Sequence, residues 1–142
     1  MLVSTLGYGT SVPSGRIAFV QLHRTRGARF HVSGIPWTAG RGALSRIYAA
    51  FETCDLPRIS GAFTLHIRPY ERILNPTVLD VPIALAMLAH AGVIPGDALT
   101  TLLSAGEVEL DGHIHAPDTE GPLHSLHLID AGDVHVMLLP DR

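Results

Sequence analysis

The spacing of apolar residues along the 142-residue chain predicts short elements of both kinds. Met1 to Tyr8 reads as a strand, expected at a sheet edge. Between Arg16 and Arg24, Ile17 and Phe19 alternate with Ala18 and Val20, the period of two that a strand requires. Ala28 to Ser33 gives a third strand with Phe30 and Val32 on one face. Ser14-Gly15 and Arg26-Gly27 suit the connecting turns, so the pattern predicts an antiparallel meander.

Gly34-Ile35-Pro36 then breaks the chain, and Thr38 is placed to cap a helix running to about Thr53. Leu44, Ile47, Tyr48 and Phe51 fall on one face of that helix, and Pro57 lies beyond its end. Ala62 to Arg68 alternates Phe63, Leu65 and Ile67 with Thr64, His66 and Arg68, a strand with one wet face. Asp80 is placed to cap a second helix with Pro82 in its first turn. Ile83, Leu85, Met87, Leu88 and Ala91 make this helix apolar nearly all round, hence central, and Gly92 ends it. Thr101 to Leu110 has strand content, and Asp111-Gly112 is a hairpin turn into His113 to Ala116. A third helix over Leu123 to Ala131 and a strand over Val134 to Leu139 complete the pattern. Strands and helices do not strictly alternate, which favours a single α+β domain over residues 1–142, in two layers, over a doubly wound sheet.

Composition narrows the chemistry more than the fold. Apolar residues make up 46% and charged residues 16%, enough for a core without disulfide or metal staples. The formal charge of −3 gives no global attraction to nucleic acid or an anionic membrane. All ten basic residues are arginine. Without lysine there is no phosphate-loop ATPase, no Schiff base and no Ser–Lys dyad. The single Cys54 forms no internal disulfide and reads as a packing residue near a helix end. The first residues lack a basic region followed by an apolar block, and Val81 to Ala91 is too short to span a bilayer. A cytoplasmic protein without cofactor is expected.

Three stretches carry a family resemblance. His31-Val32-Ser33-Gly34-Ile35-Pro36 leads into a helix. Asp80-Val81-Pro82-Ile83-Ala84-Leu85-Ala86-Met87-Leu88-Ala89 opens another, and Gly106-Glu107-Val108-Glu109-Leu110-Asp111-Gly112 follows at the expected distance. In order and spacing they resemble the N-terminal domain of the magnesium-chelatase-like AAA+ proteins, the ComM/YifB group. The resemblance covers nearly the whole chain. It implies a two-layer Lon protease-like fold, a mixed sheet packed on about three helices. It also implies a role beside an AAA+ motor in DNA processing. The departures are specific. The loop before the second helix, Tyr70 to Val78, has neither the Lys nor the Gly of the family. Val78 stands where Lon-type peptidases carry the nucleophilic serine, and Pro122 near their catalytic lysine. The resemblance therefore implies a non-catalytic domain working in assembly with itself, an ATPase module or a DNA-processing partner. The 142 residues contain no motor, so they represent either a fragment or a free-standing copy.

Other candidate residues follow from spacing. His113 and His115 share a strand face, and His124 and His127 lie at i, i+3 on a helix face. Together they suit a metal, with Asp118 or Glu120 as oxygen ligands, and a small metal-binding module is the alternative function. Equally, they are surface histidines of a chain without lysine. His23, Arg24, Arg26 and Arg29 cluster near a predicted hairpin, and His66 and Arg68 share a wet face with Arg72 following. These are either solvated turns or a weak, salt-sensitive contact to a phosphate backbone. Trp37 either covers the core or anchors a partner. Glu107 and Glu109 read as the wet face of a strand, without a visible partner.

Overall fold

The computed structural model describes residues 2–10, 15–25, 29–57, 59, 62–68, 76–115 and 136–138. The sheet comprises β1 (Leu2–Thr10), β2 (Gly15–Thr25), β3 (His31–Ser33), β4 (Ala62–Arg68), β5 (Leu102–Ser104) and β8 (Val136–Leu138). Their order is β3-β4-β2-β1-β5-β8. β1 with β2 and β2 with β4 are antiparallel, whereas β3 with β4, β1 with β5 and β5 with β8 are parallel. A separate two-stranded ribbon joins β6 (Glu107–Val108) to β7 (Ile114–His115). Helices α1 (Trp37–Thr53) and α2 (Asp80–His90) pack on the sheet, which makes the fold two-layer α+β with a mixed sheet.

The alternation read from the sequence decides which face is covered. Ala18, Val20 and Leu22 of β2 and Phe63, Leu65 and Ile67 of β4 are buried in one cluster with Ile47 and Phe51 of α1 and Ile83 and Met87 of α2. On the opposite face Leu6, Ile17 and Leu103 form a smaller buried cluster with Ala105. Further along this face the exposed Phe19 lies 5.1 Å beneath the Arg68 guanidinium. Each helix ends in a reverse turn closed by two backbone bonds. In α1 the N–H of Asp55 bonds Glu52 O and that of Leu56 bonds Phe51 O. In α2, Gly92 bonds Ala89 O and Val93 bonds Leu88 O. The required left-handed residue is the predicted Gly92 in α2 (φ 77°) and Asp55 in α1 (φ 54°).

Several expectations are corrected. β1 is interior, because β5 adds to it in parallel on the side away from β2. The meander ends after two strands: β3 is three residues long and pairs with β4, not β2. A seven-residue β4 matches β2 along its length and takes the position that adjacency in sequence suggested for β3. Thr38 lies inside the first turn of α1, which begins at Trp37 after Pro36 with no side-chain cap. Asp80 does not cap α2; Leu79 occupies that position, and the Asp80 carboxylate is engaged elsewhere. The predicted strand from Thr101 to Leu110 divides at Ala105-Gly106, where Gly106 adopts φ 153° and the chain leaves the sheet. The expected third helix lies outside the described residues. No helix among those described is long and apolar enough to cross a membrane.

Candidate functional site

A densely hydrogen-bonded junction lies where the start of α2 meets the β5–β6 link. Gly106 N–H donates to Val78 O (2.8 Å) and Val81 N–H to Gly106 O (3.2 Å). Val108 N–H donates to Asp80 Oδ2 (3.1 Å). Asp80 is fully buried, and Arg46 of α1 meets it with two parallel bonds, Nε to Oδ2 at 2.8 Å and Nη2 to Oδ1 at 2.9 Å. The Arg46 pKa is raised, chiefly by its hydrogen bond to Asp80. Burying a carboxylate is tolerable only with such pairing. One side chain thus ties together α1, α2 and the ribbon. Arg46 escaped notice in the sequence. The available signal was an arginine on the same helical face as Ala43, Ile47 and Ala50, all buried.

The ribbon has two unlike faces. Val108 and Ile114, paired across it, turn to the helices. With Phe51, Cys54, Leu85 and Leu88 they line an apolar hollow of about 150 Å³. Cys54, expected as a packing residue, is exposed at the α1 terminus on the wall of this hollow. Its thiol lies 3.8 Å from Asp111 O. The other face borders an open cleft of about 400 Å³ lined by Arg46, Glu107, Glu109 and Asp111.

His115 lies in β7 and His113 immediately before it, and each has a carboxylate partner. His113 Nδ1 lies 3.0 Å from Asp111, and His115 Nε2 is hydrogen-bonded to Glu109. Glu109 therefore has the partner that its spacing did not reveal, since the hairpin supplies it from the facing strand. The hydrogen bond to Glu109 raises the His115 pKa, and bonds from His113 lower that of Asp111. Glu109, Asp111 and His113 bring three donor atoms within 4.8 Å of one another, all on exposed residues. That set can hold a divalent cation from one side. His124 and His127 lie outside the described residues, as do Asp118, Glu120, Pro122 and Arg72.

At the far end of α1, Trp37 is 47% exposed. Its ring lies 6.0 Å from that of Phe30, and the Arg41 guanidinium sits 5.7 Å from its centroid. Arg29, adjacent to Phe30, is exposed. Arg24, next to last in β2, lies opposite Phe63 of β4, and β3 pairs with β4, so the expected hairpin between β2 and β3 is not formed. Arg26 lies outside the described residues. His66 Nδ1 is 3.0 Å from the Ser33 hydroxyl, which binds β4 to β3.

A comparison with curated proteins gives no match. The family model described as subunit ChlI of Mg-chelatase matches residues 20–141. That span includes α1, the clasp at Asp80 and the whole ribbon. On this match, the chain belongs to the Mg-chelatase ChlI family.

Proposed function

We propose that the chain is a non-catalytic Mg-chelatase-like domain whose work is assembly, with copies of itself or with an AAA+ ATPase module of the ComM/YifB kind. The observation that carries this reading is the clasp between α2 and the ribbon. The first residue of each motif is engaged within the fold: Asp80 with Arg46 and Val108, Gly106 with Val78 and Val81. Asp80 and the Gly106 backbone, engaged in this way, hold the shape of the junction and do not face a substrate. Val78, at the position of a Lon-type nucleophile, is buried and has no hydroxyl. Ser104 carries the one buried hydroxyl among the described residues without a hydrogen-bond partner, and it is fully buried in the sheet, away from any substrate in solution. Any contact to nucleic acid is weak and indirect, and the site of action is the cytoplasm.

The test is to incubate the metal-stripped chain with generic peptide and ester substrates. Its mass is then followed by light scattering, alone and with a Mg-chelatase-type ATPase module. Hydrolysis stays at background, and the mass rises in at least one mixture. Turnover that disappears in Ser104→Ala would sink the proposal.

The triad of Glu109, Asp111 and His113 favours metal binding as the second reading. It predicts a melting temperature that falls when chelator is added and recovers with zinc. The assembly reading predicts no shift.

A further inference from the structure

Charge is distributed along this chain with one sharp break. Residues 1–51 hold six arginines and no acid, while residues 52–142 hold four arginines and all thirteen acids. With histidine neutral, the two segments carry formal charges of +6 and −9. Helix α1 spans this break, and each end of it borders an unlike surface.

At its start stands the knob of Trp37, Phe30 and Arg41, with the exposed Arg29 next to Phe30 in the chain. At its end lies the apolar hollow between α1, α2 and the ribbon. The residues bordering the hollow along the chain, Glu52, Asp55 and Asp111, are exposed carboxylates. A dry cavity of about 150 Å³ accepts one aromatic ring, and the hollow has that volume. Trp37 and Ala50, on the wall of the hollow, are thirteen residues apart in one helix, a separation of roughly 20 Å. A molecule therefore cannot seat its own knob in its own hollow.

We propose that the chain docks head to tail on a second copy of itself. The basic aromatic knob of one molecule enters the acid-bordered hollow of the next. The proposal rests on the assembly reading above and names its surface. Trp and Arg at the centre of an apolar seat are the residue types that dominate interface energies. Opposite charges around the seat set the orientation and disfavour knob against knob. Such a contact is heterologous, so each bound molecule still presents one free knob and one free hollow.

The experiment uses two double variants at exposed positions. Trp37→Ala with Arg41→Glu removes the knob, and Glu52→Arg with Ile114→Arg blocks the hollow. Circular dichroism and melting establish that each is folded; if the hollow variant is not, Glu52→Arg alone replaces it. Sedimentation of the unaltered chain shows mass rising with concentration, and less steeply at high salt. Either variant alone associates at least tenfold more weakly. An equimolar mixture of the two forms a one-to-one dimer and grows no further, because one intact knob meets one intact hollow. An unaltered chain that stays monomeric at every concentration overturns the proposal and leaves assembly to a foreign partner. Variants that associate as well as the unaltered chain overturn these surfaces while leaving self-assembly intact. A mixture that stays monomeric overturns the head-to-tail geometry.

Discussion

Gly34 shows how a single residue can decide a packing arrangement. It sits at φ 93° between β3 and α1, and a Cβ there would lie 1.9 Å from the carbonyl oxygen of Ile67. Both the backbone angle and the space forbid a side chain. Gly34→Ala is therefore expected to lower stability by about 3 kcal/mol or more, measured by denaturant unfolding. His90 illustrates a different constraint. Its Nε2–H donates to Leu22 O at 2.8 Å, and its ring stands edge-on to Phe63 at 5.6 Å. Burial lowers its pKa below the ordinary 6.5, with Arg24 and His23 adding to the effect and the Leu22 bond opposing it. Above 6.5 the ring is neutral in both states. Below it the unfolded chain takes up protons first, so stability falls toward the folded-state value. His115 has the opposite sign, its contribution being lost as pH rises past 6.5 through its raised value, but it is fully exposed and weak. Replacing His90 with Gln, which keeps an N–H donor, is expected to flatten the acid side of the curve. Thermal melts at a series of pH values below 6.5 check this. Neither role was legible in the sequence, because each depends on a neighbour more than thirty residues away.

Elements were more readable than their partners. The limits of β4 and the end of α1 follow from local alternation and helical spacing, and the structure keeps them. The Asp111-Gly112 turn follows from its two residues, and Gly112 adopts φ 94° there. Pairing is another matter. β3 attaches to β4 across the whole of α1, and no property of residues 31–33 specifies that. The clasp at α2 is half visible in the sequence: Asp80 reads there as a helix cap, but its burial calls for a cation that only the fold supplies. The two partners are predicted to respond unequally. Arg46→Met leaves a buried carboxylate with the Val108 N–H alone and is expected to cost about 3–5 kcal/mol. Asp80→Asn leaves a partly exposed guanidinium that water can reach, with an amide still able to accept from Val108, and costs less. Unfolding of the two variants under the same conditions ranks them, and an equal or reversed order contradicts the clasp as described.

Over the whole molecule, the arrangement unites distant parts of the chain. The layers, the mixed sheet and the buried central helix were expected from the order of elements and the family resemblance. The interior place of β1 was not, because a strand at the start of a chain gives no local sign of its second neighbour. That neighbour is β5, joined to β1 through backbone pairing and by the Thr5 hydroxyl donating to Leu102 O, 97 residues away. The separation matters during synthesis. Ribosomes add about 5–20 residues per second, so one edge of β1 stays unpaired for roughly 5–20 seconds in each nascent molecule. An uncovered edge is an open template for other strands. Until Leu102 emerges that edge is open to neighbouring chains, and slower synthesis at lower temperature exposes it for longer.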